Sequence, residues 1–165
     1  MCIRDSPTAS LAVARMSESS FIRTDYFVDR MTRPEYGEFE IDPAGLLDYR
    51  TAIGADDVLI LADIQVKYAS MVTPRPLAES ARAAHEHGAD AVVVTGDMSG
   101  DAPRLQDLRD AAEGLPVLVG SGLTPDNAAE LLAECDGAIV GTSLMRNAAV
   151  DPDALQSLMS VVRGR

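Results

Sequence analysis

At 165 residues the chain is long enough for one domain with a sizeable core, and short of the roughly 250 residues of an eight-stranded β/α barrel. Its composition, 47% apolar and 24% charged, is that of a globular protein. A formal net charge of −12 repels nucleic acid and anionic membrane, which excludes both as non-specific partners.

No apolar run reaches the ~18 residues of a membrane span, and no basic-then-apolar signal pattern opens the chain. The expectation is a cytoplasmic protein with no direct membrane insertion. Cys2 and Cys135 form neither a CxxC nor a metal-ligand spacing, so no metal is assigned and Cys135 reads as a small buried side chain. Residues 1–6, MCIRDS, fit nothing downstream. They resemble a leader that recurs in translated environmental assemblies where sequencing adapter has been read through. They are read as non-native, and residues 7–165 as a single truncated domain. Ser6-Pro7 also suits a helix start, with proline at the first helical position.

Residues 8–16 form a short helical stripe. Residues 21–29, FIRTDYFVD, alternate and predict a strand, with Arg23, Asp25 and Phe27 on one face and Ile22 and Thr24 on the other. Residues 31–42 read as a long polar loop, a length at which loops often act as lids. A helix over 43–53 is capped by Asp42 and stopped by Gly54. Residues 58–67, VLILADIQVK, predict the next strand. One face carries Ile60, Ala62, Ile64 and Val66. The other carries Leu59, Leu61, Asp63, Gln65 and Lys67, apolar first and polar last, as a barrel interior requires. After a loop over 68–76, a helix over 77–87 ends at Gly88. The uniform run 91–95 predicts a strand covered on both faces, closing in Gly96-Asp97. A helix over 105–113 follows.

Residues 116–144, PVLVGSGLTPDNAAELLAECDGAIVGTSL, carry the sharpest functional signal. The apolar run 117–119 ends in Gly120-Ser121-Gly122. A helix opens at Pro125, and the run 138–140 ends in Gly141-Thr142-Ser143. Glycines let backbone approach a ligand closely, and amides and hydroxyls in such loops suit an anion, above all a phosphate. In a parallel β/α barrel, a phosphate site commonly lies in the loops after the last two strands. Asp151-Pro152-Asp153 starts the last helix. The order, a helix and then five strand–helix units, predicts an α/β fold with a parallel sheet.

The strings FIRTDYFVD, GLLDYRTAIGADDVLILADIQVKYAS, DAVVVTG, PVLVGSGLTPDNAAELL and DGAIVGTSLM resemble the BtpA/SgcQ family. The resemblance covers nearly everything after residue 8. It implies a TIM (β/α)8 barrel like that of ribulose-phosphate-binding proteins, here incomplete, with the five strands matching the fourth to eighth. It also implies two settings. The family's founding member is tied to photosystem I biogenesis, and other members sit beside sugar-metabolism genes. Without the first three strands, the strands at 21 and 138 would have open edges, which predicts a homo-oligomer or pairing through those edges.

The expected ligand is therefore a phosphorylated small molecule of the sugar-phosphate class, held by residues 120–122 and 141–143, with isomerase or lyase chemistry. Asp63 and Lys67 are candidates for base and electrostatic stabiliser, Lys67 also for a Schiff base, with Asp25 as a third catalytic candidate. Arg23, Gln65, Thr95 and Asp97 are candidate substrate contacts. No cofactor is assigned; a flavin mononucleotide would suit the same loops, but nothing in the sequence selects it. The alternative is a non-catalytic assembly factor for a membrane complex such as photosystem I. His85 and His87, late in a helix, read as partners of its dipole, and Glu35, Glu38, Glu40 and Asp42 as a solvated loop face.

Overall fold

The computed structural model describes residues 6–25, 27–35, 37–98 and 100–164. The leader assigned to residues 1–6 lies, apart from Ser6, outside them.

Helix α1 (Pro7–Met16) leads into strand β1 (Phe21–Thr24), and short strands β2 (Met31–Arg33) and β3 (Gly37–Phe39) follow. Next come α2 (Pro43–Ala52), β4 (Leu59–Asp63), β5 (Ser70–Met71), α3 (Leu77–Glu86), β6 (Ala91–Val94), α4 (Leu105–Ala111) and β7 (Val117–Val119). The chain closes with α5 (Ala128–Leu131), β8 (Gly137–Ala138), a 3₁₀ turn (Thr142–Leu144), the hairpin β9 (Met145–Arg146) and β10 (Ala149–Val150), and α6 (Pro152–Arg163).

The main sheet has five strands in the order β1-β4-β6-β7-β8, every pair parallel. Each crossover carries a helix, as parallel pairing requires. The two sheet faces differ sharply. Ile22, Ile60, Ala62, Val92, Val94, Val117 and Val119 are buried on one face, in the large cluster that also holds Leu11, Leu46, Ala84, Leu108 and Leu158 from the helices. The opposite face carries a smaller cluster of Leu61, Ala91 and Val93, with Leu118 and Ile139 half-buried beside it. On that face Phe21 and Leu59 remain 53% and 46% exposed. The period-2 alternation thus sends one set under the helices and the other to the inner face.

One device recurs at the amino ends of strands. Asp90, just before β6, accepts the Ile60 N–H at 2.8 Å, and Asp136, just before β8, accepts the Val117 N–H at 2.8 Å. Each carboxylate thus secures the neighbouring strand's backbone. Gly54 and Gly88 end α2 and α3 at φ +65 and +84, the left-handed step a helix stop needs. Asp151 caps α6, accepting from the Asp153 and Ala154 amides.

Three expectations change. The strand at 21–29 ends at Thr24, so Phe27 does not share a face with Arg23; it is fully buried in the helix-side cluster. The loop at 31–42 is not structureless: β2 pairs antiparallel with both β3 and β5, with Gly37 at φ +74 in the turn. Its Met31 packs with Val66, Phe39, Ile41 and Met71, a small satellite core over the carboxyl ends of β1 and β4. The helix expected from Pro125 is a single turn from Ala128 to Leu131. There the Asn127 side chain takes the Thr124 N–H at 2.8 Å and donates to the Gly122 carbonyl at 2.9 Å, so the residues before the helix are folded as a side-chain-closed turn.

Candidate functional site

The carboxyl ends of the five strands open on a cleft of about 420 Å³. One wall is Gly120, Ser121 and Gly122 after β7; another is Gly141, Thr142 and Ser143 after β8. Ile139 and Val140 join them, and Arg23 and Lys67 enter from the side of β1 and β4. Both glycine loops therefore face one space, as the barrel rule requires.

The glycines serve different ends. Gly122 has φ +72, and a Cβ there would lie 2.1 Å from the Ala102 amide nitrogen, so it is required by its turn and by the backbone of the 101–102 loop. At Gly120 a Cβ would meet Val93 and Thr95 methyls and the Arg23 guanidinium on the inner face. A Cβ at Gly141 would meet nothing within 4 Å, so this glycine is not demanded by packing and leaves the cleft wall open.

The serines are tied into the loops. Ser121 Oγ donates to the Asp101 carbonyl at 2.7 Å and accepts from the Gly96 N–H at 3.1 Å. Ser143 Oγ donates to the Leu123 carbonyl at 2.6 Å. A hydroxyl has one proton to give, so both serines hold the loop frames together. The hydroxyls expected to meet an anion are spent, apart from that of exposed Thr142.

Arg23 and Asp63 form a bidentate pair on the inner face. Arg23 Nε and Nη2 each lie 2.6 Å from an Asp63 oxygen, with side chains 17% and 2% exposed. Burial works against the Arg23 charge, but the hydrogen bond and charge of Asp63, and the charge of Asp25, outweigh it and hold its pKa above the ordinary value. Asp25 is buried, with Arg33 Nη2 of β2 at 3.9 Å from its carboxylate. The candidate acids thus lie behind or beside Arg23 rather than on the cleft wall.

Lys67 is half-buried, and its Nζ lies a long 3.5 Å from the Met98 carbonyl. It is the only lysine among the fourteen basic side chains of the chain. Arg23 being neutralised by Asp63, Lys67 is the lining cation with no carboxylate partner among the described residues.

Gln65 does not face the cleft. It sits at φ +47, which ends the strand alternation, and its amide donates instead to the Arg75 carbonyl (3.0 Å) and Ser80 Oγ (3.1 Å). Tyr68 is also left-handed, at φ +61, and each such residue costs on the order of 1 kcal/mol. Thr95 is half-buried on the inner face near Gly120, outside the cleft lining. Asp97 is exposed beyond β6, near Arg104.

A buried network went unread in the sequence. Asp29, 3% exposed, accepts from Arg75 Nε (2.9 Å) and Nη2 (2.6 Å), from Ser80 Oγ (2.8 Å) and from the Gln65 N–H (3.1 Å). One signal was available: Ser80 stands on the buried face of α3 with Ala81 and Ala84, and a polar side chain there demands a partner. Among the described residues, no group of three His, Cys, Asp or Glu is placed to hold a metal.

The BtpA family model matches residues 1–164. An uncharacterised protein of Archaeoglobus fulgidus is 33% identical over 164 residues, covering 98% of this chain and 65% of its own length. The photosystem I biogenesis protein BtpA of Synechocystis is 35% identical over 158 residues, covering 91% of this chain and 54% of its own. The chain thus spans between about half and two thirds of the length of these curated relatives. Among solved structures, a thiamine phosphate pyrophosphorylase from Pyrococcus furiosus superposes with a TM-score of 0.63 at 22% identity, over 93% of this chain and 64% of that one. At that identity the likeness speaks for the fold: five parallel strands with their helices, part of a TIM barrel. The chain belongs to the BtpA family.

Proposed function

We propose that the cleft binds the phosphate of a phosphorylated small molecule, of the sugar-phosphate class, and that the longer protein acts on it as an isomerase or lyase. The observation that carries this reading is the convergence of the two glycine loops on one space that also receives Lys67. The phosphate would meet backbone amides of residues 121–122 and 141–143, the Thr142 hydroxyl and the Lys67 ammonium; the Gly120 N–H is held by the Val94 carbonyl at 2.8 Å. Ser121 and Ser143 would act by holding those loops. Asp63 would fix Arg23 at the cleft edge, and Asp25 would add to the negative field behind it. Gln65, Thr95 and Asp97 are not retained as ligand contacts, since none of them lines the cleft.

Gly141→Val tests the reading, because its side chain would enter the cleft from a position with room for it. Thermal-shift titration with inorganic phosphate and sugar phosphates should raise the wild-type Tm by mass action. Gly141→Val should keep the unliganded Tm and lose that response. A wild type, and a longer relative, that respond to no phosphorylated ligand would overturn it.

A second reading is favoured by the 35% identity to a photosystem I biogenesis protein: a non-catalytic assembly factor for a membrane complex. It expects no phosphate response and activity that survives Gly141→Val. Under either reading, pairing through the free edges of β1 and β8 and the exposed Phe21 and Leu59 is expected to give an oligomer. Light scattering that returns a monomer at high concentration would count against it.

A further inference from the structure

Resting on the phosphate reading of the cleft, we propose that Asp29 is a positioning residue. Its buried carboxylate holds the segment after β4 in the bent shape that carries Lys67 to the bound phosphate. Were the strand to continue, Gln65 and Lys67 would point to the same side. Instead Gln65 is inverted at φ +47, Tyr68 follows at φ +61, and Lys67 between them lines the cleft. Two left-handed non-glycine residues so close together persist only where their surroundings impose them.

The Asp29 network supplies that imposition at Gln65. One carboxylate oxygen takes the Gln65 N–H, fixing the inverted peptide directly. The other takes Ser80 Oγ and the Arg75 fork, and Arg75 also donates to the Val28 carbonyl at 3.1 Å. The connection after β1, the connection after β4 and α3 are thereby locked to one another. None of Asp29, Arg75 and Ser80 lines the cleft, so their influence on a ligand passes through the segment bearing Lys67. The identity of that residue supports the assignment. Apart from two histidines, every other basic side chain in the protein is arginine. The cleft holds the one compact ammonium, a point charge that meets phosphate oxygens without the planar fork geometry of arginine.

Having a single lysine makes the test direct. Reductive ¹³C-methylation labels Lys67 and the terminal amine, which the lower pKa of an α-amine distinguishes. In the wild type, the Lys67 resonance should move on adding inorganic phosphate. Asp29→Asn should shift that resonance toward the free-lysine position without phosphate and weaken phosphate binding about tenfold or more. Adding Gln65→Gly should restore most of the affinity, because glycine takes a positive φ without steric penalty. An Asp29→Asn protein with lower Tm but unchanged Lys67 resonance and phosphate affinity would overturn the proposal, since a purely structural role predicts that result. Should Asp29→Asn not fold, Arg75→Lys keeps the charge and loses the fork; it should move the Lys67 resonance the same way, and an unmoved resonance overturns the proposal. If the wild type ignores phosphate, the cleft reading fails. The resonance of Asp29→Asn without ligand then decides the positioning alone: a shift upholds it and no shift overturns it.

Discussion

Substituting Asp63 by leucine isolates the strongest electrostatic contact of the inner face. Asp63 is 2% exposed and gives both oxygens to Arg23 at 2.6 Å. Removing one partner of a buried pair costs about 3–5 kcal/mol, because the remaining charge stays desolvated. Arg23 opens onto the cleft and keeps 17% of its side-chain surface, and buried Asp25 lies close enough to favour its charge. Both facts move the expected cost to the lower end, about 3 kcal/mol. In a domain of this size each kcal/mol lowers Tm by about 2–4 °C, so Asp63→Leu should melt about 6–12 °C below wild type. Arg23→Met should also destabilise, since it leaves the buried Asp63 carboxylate without its partner. Exchanging both residues should restore most of the loss, because an apolar pair can replace a buried ion pair at little net cost. Urea and thermal melts of the wild type, both single variants and the double variant give the coupling, expected to be about 2 kcal/mol or more. Additive effects in the double variant, or an Asp63→Leu change below about 0.5 kcal/mol, would refute the claim that this pair is buried and interdependent.

Gly122→Ala should destabilise by about 2 kcal/mol or more, since φ is +72 and the new Cβ would strike the Ala102 backbone, whereas Gly141→Ala should stay within about 0.5 kcal/mol of wild type; parallel urea melts check both. Asp151→Ala removes the acceptor for the Asp153 and Ala154 amides and should cost about 1 kcal/mol, read from the same melts, while Asp151→Ser should recover much of it. Arg109 holds the Glu134 carboxylate below its ordinary pKa of 4.5 through hydrogen bonds at 2.7 and 3.0 Å. The folded pKa is depressed, so this contribution is present above pH 4.5 and lost as pH falls through the folded value. Arg109→Gln should therefore remove part of the acid limb of the pH–stability profile, and high salt should mimic it because the pair is exposed.

What the sequence made legible depended on whether a residue's role was local. Helix stops at Gly54 and Gly88, the Asp151 cap and the alternation in 59–63 are set by near neighbours and stand where expected. The two glycine loops face one cleft because consecutive parallel strands bring their carboxyl ends side by side. The failures share one cause. Strand alternation extended past Asp63 to Gln65, or past Thr24 to Phe27, fails because contacts far along the chain bend the backbone there. Asp29 is 36 residues from Gln65 and 46 from Arg75, and no periodicity reports such a partner. The small antiparallel sheet of β2, β3 and β5 escaped for the same reason, as β5 comes from a different connection.

The charge pattern of the cleft resolves an apparent conflict. A chain of net charge −12 should be a poor host for a phosphate if charge acted as a uniform background. Exposed carboxylates beyond about 8–10 Å are largely screened at physiological salt, whereas one ammonium at ~4 Å contributes on the order of 4 kcal/mol at a partly buried protein surface. The local cation therefore decides. Arg23 is the weaker candidate for that cation, because its Nε and one Nη2 proton are already committed to Asp63 and their charges offset. Lys67 is the stronger, since it lines the cleft with no carboxylate partner among the described residues, on a segment turned into the left-handed region at Gln65 and Tyr68. A phosphate-binding role for the cleft would then rest on one short bent segment, whose Gln65 N–H is held by Asp29 from outside the cleft lining.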